Sequence, residues 1–210
     1  MKLNHLIDGA PEIEIEQLTT DSRKKCRNGL FFCIKGLMHD GHRFATMAIH
    51  NGAIAIVHSD DLAQYNPNVT YIKVKNTLKA LNMIASRFYG NPSEKLTMYG
   101  ITGTNGKSSI AKMIKDMVSC STPCGYIGTI AIEYADVKLP PLLTTPDVID
   151  IQRILHDMDR AGMKACALEV SSIGLEQHRV DAVEFDVAIF TNFTHDHLDY
   201  HGTMDNYFEA

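Results

Sequence analysis

Residues 100–109, Gly-Ile-Thr-Gly-Thr-Asn-Gly-Lys-Ser-Ser, constrain the fold of this chain more than any other stretch. An apolar run at 96–99 precedes them, and a segment with helical periodicity, 110–117, follows. Apolar residues in that segment recur at i, i+3, i+4 and i+7, the spacing of a helix that buries one face. These apolar residues are Ile110, Met113, Ile114 and Met117. The sequence therefore predicts a strand, a glycine-rich loop and a helix in that order.

This arrangement is typical of a phosphate-binding loop. Successive backbone N–H groups and a helix N-terminus meet at one point, which favours an anion such as a nucleotide phosphate. Lys107 is placed to reach the β- and γ-phosphates, and the Ser108 hydroxyl is placed to ligate Mg²⁺. The usual spacing has glycine at position 101, where this chain has Ile101. The prediction therefore depends on the order of elements, and the alternative is a plain turn between a core strand and a core helix.

The composition is that of a globular protein. Of 210 residues, 45% are hydrophobic and 21% are charged, which suits one or two domains with a core. A net charge of −5 argues against a nucleic-acid partner or a membrane-surface footprint, and no apolar run is long enough for membrane insertion. Residues 1–8 also lack the apolar segment of a signal peptide, so we expect a cytoplasmic location. The five cysteines are odd in number and include no C-x-x-C pair, which favours reduced thiols.

Residues 1–92 are predicted to form a small N-terminal α/β domain. Short apolar or β-branched runs indicate strands, and helical patterns lie between and after them. The strands are expected at 30–34, 53–57 and 70–74, and the helices at 43–50 and 78–88. Gly90-Asn91-Pro92-Ser93 marks the domain boundary, because proline and glycine end the last helix.

Residues 93–210 are predicted to form a second, mostly parallel α/β domain of the phosphate-loop type. We expect a strand or a strand pair at 125–132, strands at 163–170 and 183–190, and a polar loop at 136–141. A helix is expected to follow Thr145, with Thr145 as its N-cap and Pro146 as its first residue. Its buried stripe is predicted to consist of Val148, Ile151, Leu155 and Met158.

Glu169 and a group of histidines are the candidate metal ligands. Glu169 ends a predicted strand beside the phosphate loop, where an acidic residue commonly anchors Mg²⁺ or positions water. His195, His197 and His201 have a spacing that suits zinc, but no cysteine accompanies them. We therefore favour one histidine at the magnesium site, with exposed loop histidines as the alternative.

Together these motifs resemble the Mur ligase family. The resemblance covers most of the chain, in order, and its residues are Asp21-Ser22-Arg23, Asp40-Gly41-His42-Arg43, 100–109, Thr144-Thr145-Pro146, Glu169-Val170-Ser171-Ser172, 174–180, Thr191-Asn192-Phe193 and 196–202. Two departures are Arg27-Asn28 before Gly29-Leu30, where the family has Gly-Asp before Leu-Phe, and Leu143, where asparagine is common.

The resemblance implies a role for each matching residue. ATP would bind to Gly103, Thr104, Asn105, Gly106, Lys107, Ser108 and Ser109. Ser108, Glu169 and His197 would hold metal ions, and Lys107, Glu169 and His197 would be catalytic. Thr20 and Ser22 would contact the UDP part of the substrate, with Leu37 to His39 as further candidates. The muramoyl-peptide path would be lined by Thr144, Thr145, Ser171, Gln177 and Arg179.

The resemblance also implies an ATP-dependent amide ligase. Such an enzyme adds the third residue to UDP-N-acetylmuramoyl-dipeptide through an acyl phosphate, using Mg²⁺, with an amino acid as the other substrate. The family has a carbamylated lysine and a third domain beyond the position that corresponds to Ala210, so we expect a truncated central domain and little activity from this chain alone. The alternatives are a non-catalytic module that binds UDP-muramoyl-peptide or nucleotide, and a generic phosphate-loop NTPase.

Overall fold

The computed structural model describes residues 1–36 and 39–210, which divide into two compact units, Met1–Phe88 and Tyr89–Ala210. Each unit contains a sheet flanked by helices, so the α/β class predicted from the sequence is confirmed. No helix among the described residues has the length and apolar character needed to cross a bilayer.

The first unit contains a parallel sheet. Within its described residues the strand order is β1-β2-β3-β4, and each neighbouring pair is parallel. The strands are β1 (Gln17–Thr19), β2 (Gly29–Phe32), β3 (Ala53–His58) and β4 (Thr70–Lys73), and the helices are α1 (Leu3–Leu6), α2 (Ala45–His50) and α3 (Thr77–Phe88), with a 3-10 turn at Gly41–Phe44. The sequence did not predict β1 and α1, because each is too short to show a period.

The second unit, Tyr89–Ala210, is described throughout and contains a sheet of order β10-β5-β9-β6-β7-β8. Strands β10, β5, β9 and β6 are parallel, and β7 and β8 pair antiparallel at one side. The strands are β5 (Thr97–Thr102), β6 (Cys124–Ile127), β7 (Ile132–Tyr134), β8 (Val137–Leu139), β9 (Ala165–Glu169) and β10 (Val187–Phe190). The helices are α4 (Lys107–Ser119), α5 (Val148–Arg160), α6 (Ser172–Glu176), α7 (Leu198–His201) and α8 (Met204–Glu209), with a 3-10 turn at Pro92–Lys95.

The helix predicted after Thr145 is α5, and its buried stripe is confirmed. Val148, Ile151, Leu155 and Met158 are each at most 4% exposed, and the last three belong to one apolar cluster. The cap prediction was wrong, because the N-cap is Asp147 and α5 begins at Val148. The predicted loop at 136–141 was also wrong, since Val137–Leu139 pairs with β7 as an edge strand.

The predicted buried stripe of α4 was wrong in part. Met113 and Met117 are 62% and 73% exposed, whereas Ala111 is fully buried. The face toward the sheet carries Ser108, Ala111 and Lys112, and Ser108 and Lys112 bond to Glu169 of β9 and Glu133 of β7. These polar contacts fix the rotation of α4, which apolar periodicity cannot predict.

Met158 is buried and Met113 is exposed, so truncating the two side chains should lower the free energy of unfolding by different amounts. We expect Met158→Ala to lower the free energy of unfolding of this unit by about 2–5 kcal/mol, because the fully buried side chain leaves a cavity. The same change at the exposed Met113 serves as the control and should cost less than about 0.5 kcal/mol. Urea unfolding measures both values, and equal losses would contradict the burial assigned to α4 and α5.

Candidate nucleotide and metal site

The phosphate loop connects β5 to α4. Gly103 and Gly106 have φ angles of 127° and 86°, which are in the region that favours glycine. A Cβ atom on Gly103 would also lie 2.2 Å from Thr191 Oγ1. Glycine is therefore required at position 103 by both backbone conformation and close packing.

The segment after β10 holds this loop in place. The N–H of Thr104 donates to the Asn192 carbonyl at 2.9 Å, and the N–H of Asn105 donates to Asn192 Oδ1 at 3.1 Å. Thr191 Oγ1 donates in turn to the Asn105 carbonyl at 2.7 Å. The amides of Thr104 and Asn105 are thus already paired within the protein.

The amides at the start of α4 are the better anion donors. No side chain of the described residues caps this helix, whose N-cap is Gly106. Gly106, Lys107, Ser108 and Ser109 line a cleft of about 440 Å³. Because the first N–H groups of a helix lack partners within it, they can bind phosphate oxygens in this cleft.

Lys107 lies over the loop that precedes it. Its Nζ donates to the carbonyl oxygens of Gly103 at 2.7 Å and Thr104 at 3.0 Å. Burial lowers the pKa of this ammonium group, while the charges of Glu169 and Asp196 act in the opposite direction. The cation is therefore held at the cleft by neutral acceptors that a phosphate can replace.

Glu169 is a fully buried carboxylate at the end of β9. It lies beside the loop because β5 and β9 are parallel neighbours, with Ile101 opposite Glu169. Its Oε2 accepts from Ser108 Oγ at 2.8 Å and from Thr129 Oγ1 at 3.2 Å. The structure thus brings together Ser108 and Glu169, which the sequence predicted to share a metal.

The oxygen atoms of Glu169 and of its hydroxyl neighbours are suitable ligands for Mg²⁺. Carboxylate and hydroxyl oxygens are ligands that Mg²⁺ accepts, together with phosphate oxygens and water. Among the described residues, no lysine or arginine forms an ion pair with Glu169. A buried charge that has only neutral donors is a suitable place for a cation.

The histidines of the last loop lie in different environments. His197 lines the cleft with Glu169, and His195 is exposed. His201 is buried, with Nε2 at 2.9 Å from Ser172 Oγ and Nδ1 at 3.0 Å from Glu176 Oε2. The acid and histidine clusters found among the described residues do not include these side chains. Of these three histidines, His197 is the one that lines the cleft, which favours a single histidine at the metal site over a zinc site built from all three.

The threonines before α5 differ in exposure. Thr144 Oγ1 lies 3.0 Å from Thr129 Oγ1 at the cleft. Thr145 is fully buried, and its Oγ1 donates to the Glu169 carbonyl at 3.0 Å and accepts from the N–H of Ser171 at 2.9 Å. Thr145 therefore fixes the backbone on both sides of Val170, whereas Thr144 is open to a ligand.

Ser171, Gln177 and Arg179 are linked to this region by hydrogen bonds. Ser171 Oγ caps α6 by accepting from the N–H of Gly174. Arg179 NH1 donates to the Thr145 carbonyl at 2.8 Å, and NH2 donates to Gln177 Oε1 at 2.6 Å. Ser171 and Arg179 line the cleft. The Arg179 guanidinium, which the resemblance places along the muramoyl-peptide path, is thus positioned by two neutral acceptors and by Asp147, whose Oδ1 lies 3.4 Å from Arg179 Nε.

In the first unit, Thr20 is exposed and Ser22 is buried, with its Oγ 3.5 Å from Met47 Sδ. The candidates Leu37 and Met38 lie outside the described residues. Directly after Thr20, the side chains of Asp21 and Arg23 form an ion pair. Arg23 Nε lies 2.8 Å from Asp21 Oδ1, and Arg23 NH2 lies 2.9 Å from Asp21 Oδ2. The motif at 21–23 thus has a structural component besides its predicted substrate contact.

Asp40, His42 and Asp60 place possible metal ligands within 4.8 Å of one another. His42 Nε2, however, accepts the N–H groups of Ser59 at 3.0 Å and Asp60 at 3.2 Å. The proton of a neutral ring is then on Nδ1, which lies 2.6 Å from Asp40 Oδ1. A metal on Nδ1 would require an imidazole without a proton. We therefore assign this cluster a structural role, because its hydrogen bonds hold the loop after β3 in place.

Sequence reasoning missed several residues that build the site. Tyr126 donates its hydroxyl proton to Glu169 Oε1, and Thr129 donates its N–H to the same oxygen at 3.1 Å. Burial raises the pKa of the Tyr126 phenol, and the hydrogen bond to Glu169 raises it further. A tyrosine at the end of an otherwise apolar strand was the available signal. Asn192 was seen only as part of a motif.

The fold and the site together define an α/β protein of the phosphate-loop class, in which β5, a glycine-rich loop and α4 follow one another beside Glu169. The chain belongs to the Mur ligase family, because the Mur ligase middle domain matches residues 101–210, and the model described as Mur ligase family, catalytic domain, matches residues 14–89.

Curated relatives and solved structures agree with this assignment. The UDP-N-acetylmuramoyl-L-alanyl-D-glutamate--2,6-diaminopimelate ligases of Caldanaerobacter subterraneus subsp. tengcongensis and Clostridium tetani are each 42% identical over 98% of the chain, which spans 42% and 43% of their lengths. A solved ligase of that name is 25% identical, with a TM-score of 0.80, over 100% of this chain and 43% of its own. The MurF ligase of Thermotoga maritima shares the fold, with 22% identity and a TM-score of 0.63 over 92% of this chain and 41% of its own.

The Asp21–Arg23 pair predicts a pH-dependent contribution to stability. The hydrogen bond from Arg23 lowers the pKa of Asp21 to about 2, below the value of about 3.9 in an unfolded chain. The pair therefore stabilises the fold above the unfolded pKa, and this contribution is lost as the pH falls toward the folded value.

We expect Arg23→Ala to return the pKa of Asp21 toward its ordinary value, measured by NMR titration of the carboxyl carbon. The urea midpoint of this variant should be lower than that of the unsubstituted chain above pH 4, with a difference that shrinks as the pH falls. Arg27→Ala is the control, since Arg27 has the same side-chain exposure of 82% but pairs with Glu16. An Asp21 pKa that stays near 2 in Arg23→Ala would refute this assignment.

Proposed function

We propose that this chain forms the part of an ATP-dependent ligase that binds ATP and UDP-N-acetylmuramoyl-dipeptide. The whole enzyme would add the third residue of the peptide during peptidoglycan biosynthesis. The observation that carries the proposal is the contact of 2.8 Å between Ser108 of the phosphate-loop helix and the buried Glu169. The names of the relatives specify 2,6-diaminopimelate, and on that basis we propose it as the amino acid that is added.

The chemistry requires activation of a carboxylate. An oxygen of the substrate carboxylate attacks the γ-phosphorus of ATP, ADP leaves, and an acyl phosphate forms. The incoming amine then attacks the acyl carbon, phosphate leaves, and the amine loses a proton. Positioning and charge stabilisation supply most of the catalysis in phosphoryl transfer.

The residues of the cleft suit these roles. The N–H groups at the start of α4 would bind phosphate oxygens, and Lys107 would move its ammonium group from the loop carbonyls to the β- and γ-phosphates. Ser108, Glu169 and His197 would hold Mg²⁺, which when bound would neutralise charge on the phosphates. Thr144, Ser171 and Arg179 would orient the muramoyl peptide beside the γ-phosphate, and Gln177 and Thr145 would hold Arg179 in place.

The site for the UDP part is proposed in the first unit. Thr20 would offer its exposed hydroxyl, and Ser22 would contribute once its hydroxyl turns from Met47. Calorimetric binding of UDP-N-acetylmuramoyl-L-Ala-D-Glu, with UDP-N-acetylglucosamine as the comparison ligand, tests this assignment. Hydrolysis of ATP that is indifferent to the muramoyl dipeptide would favour the generic NTPase instead.

Lysine substitutions on one helix test the nucleotide site. We expect Lys107→Ala to weaken Mg·ATP binding at least tenfold in calorimetry, because it removes the cation nearest the phosphates. Lys115→Ala removes an equal charge two turns along α4, where Lys115 pairs with Asp116, and should change the affinity by less than about twofold. Equal effects of the two substitutions, or no binding by the unsubstituted chain, would contradict the proposed site.

A further inference from the structure

We propose that Tyr126 makes the metal site selective for Mg²⁺ over Ca²⁺ by keeping one oxygen of Glu169 paired inside the protein. This inference rests on the proposed function, since it concerns the metal that would accompany ATP. It concerns the two carboxylate oxygens of Glu169, which have different partners.

The two groups that donate hydrogen bonds to Oε1 are not placed to act as metal ligands. Oε1 accepts the phenol proton of Tyr126 and the backbone N–H of Thr129 at 3.1 Å. A backbone amide has no lone pair to offer, and the phenol is fully buried. Oε1 is therefore directed toward the interior of the protein.

The partners of Oε2 are of a different kind. They are the hydroxyl groups of Ser108 at 2.8 Å and Thr129 at 3.2 Å. A hydroxyl group can rotate its proton away and present a lone pair to a cation. Ser108 and Thr129 also line the cleft, so a metal would find Oε2 and its hydroxyl neighbours there.

Tyr126 is held in this position by its own surroundings. Lys112 Nζ lies 4.9 Å from the centre of the phenol ring, and Lys112 is paired with Glu133 at 2.5 Å. This arrangement allows a cation–π contact with one face of the ring. The ring is thus fixed between α4 and the sheet, and its hydroxyl group has a constant direction.

The backbone at Gly128 closes the same side of the carboxylate. A Cβ atom at position 128 would lie 2.0 Å from Glu169 Oε1 and 2.6 Å from the Tyr126 hydroxyl oxygen. The chain therefore packs directly against this hydrogen-bonded pair. Gly128 therefore leaves Oε1 no room to move on that side.

A single available oxygen favours the smaller cation. Mg²⁺ requires nearly ideal octahedral geometry and is usually held by few carboxylate oxygens, with water and phosphate completing its shell. Ca²⁺ accepts more ligands and often takes both oxygens of one carboxylate. Pairing of Oε1 with Tyr126 removes the second oxygen, which disfavours Ca²⁺ more than Mg²⁺.

The test measures ATP affinity by calorimetry with Mg²⁺, with Ca²⁺ and with EDTA, in the 210-residue chain and its variants. We expect Tyr126→Phe to reduce the preference for Mg²⁺ over Ca²⁺ about tenfold, as is typical when a partner of a metal ligand is removed. Affinity in EDTA should stay the same, because the phosphate loop is unaltered. Tyr99→Phe is the matched control, since Tyr99 packs against the same apolar cluster as Tyr126 and should leave the preference unchanged.

Gly128→Ala provides a second variant that keeps the phenol. Its methyl group would push Oε1 from its place, so the preference for Mg²⁺ should fall in this variant as well, with a melting temperature measured alongside. If Tyr126→Phe and Gly128→Ala both keep the unsubstituted ratio of Mg²⁺ to Ca²⁺ affinities, the role of Tyr126 is overturned while the nucleotide site stands. If the unsubstituted chain binds no Mg·ATP, the proposed function fails, and this inference fails with it.

Discussion

The second unit depends on one buried charge, the carboxylate of Glu169. An unpaired carboxylate in the interior costs several kcal/mol, so its surroundings must supply donors. Those donors come from α4 through Ser108, from β6 through Tyr126 and from the following turn through Thr129. Each contact fixes an element relative to β9. The same carboxylate that would serve a metal therefore also determines how the helix after the phosphate loop sits on the sheet.

The phosphate loop is held from its other side by Asn192. This side chain accepts from the amide of Asn105, and its own amide donates to the Asn105 carbonyl at 2.9 Å. Thr104 Oγ1 adds contacts with Thr194 and with the Tyr207 hydroxyl. The loop thus needs no ligand to acquire its shape, and such pre-organisation would serve the phosphoryl transfer proposed for the site.

Several features were predictable because they depend on local pattern. The strand, loop and helix around residues 100–109, the buried stripe of α5 and the position of Glu169 at a strand end all follow from spacing and residue type. The rotation of α4 was not, since polar contacts to Glu169 and Glu133 override its apolar stripe. Thr145 looked like a helix cap but bonds to the backbone at 169 and 171, which only the folded chain brings near.

The sequence by itself determined the order of elements and the chemical types at the cleft, because glycine spacing, apolar periodicity and capping act over a few residues. The tertiary structure decided which partners each oxygen of Glu169 has, which amides of the loop pair with Asn192 and which histidine lies at the cleft. Those outcomes depend on pairs such as Tyr126 with Glu169 and Asn105 with Asn192, separated by 43 and 87 positions. These contacts form here because the parallel strands β5, β6, β9 and β10 bring their carboxyl ends to one edge of the sheet.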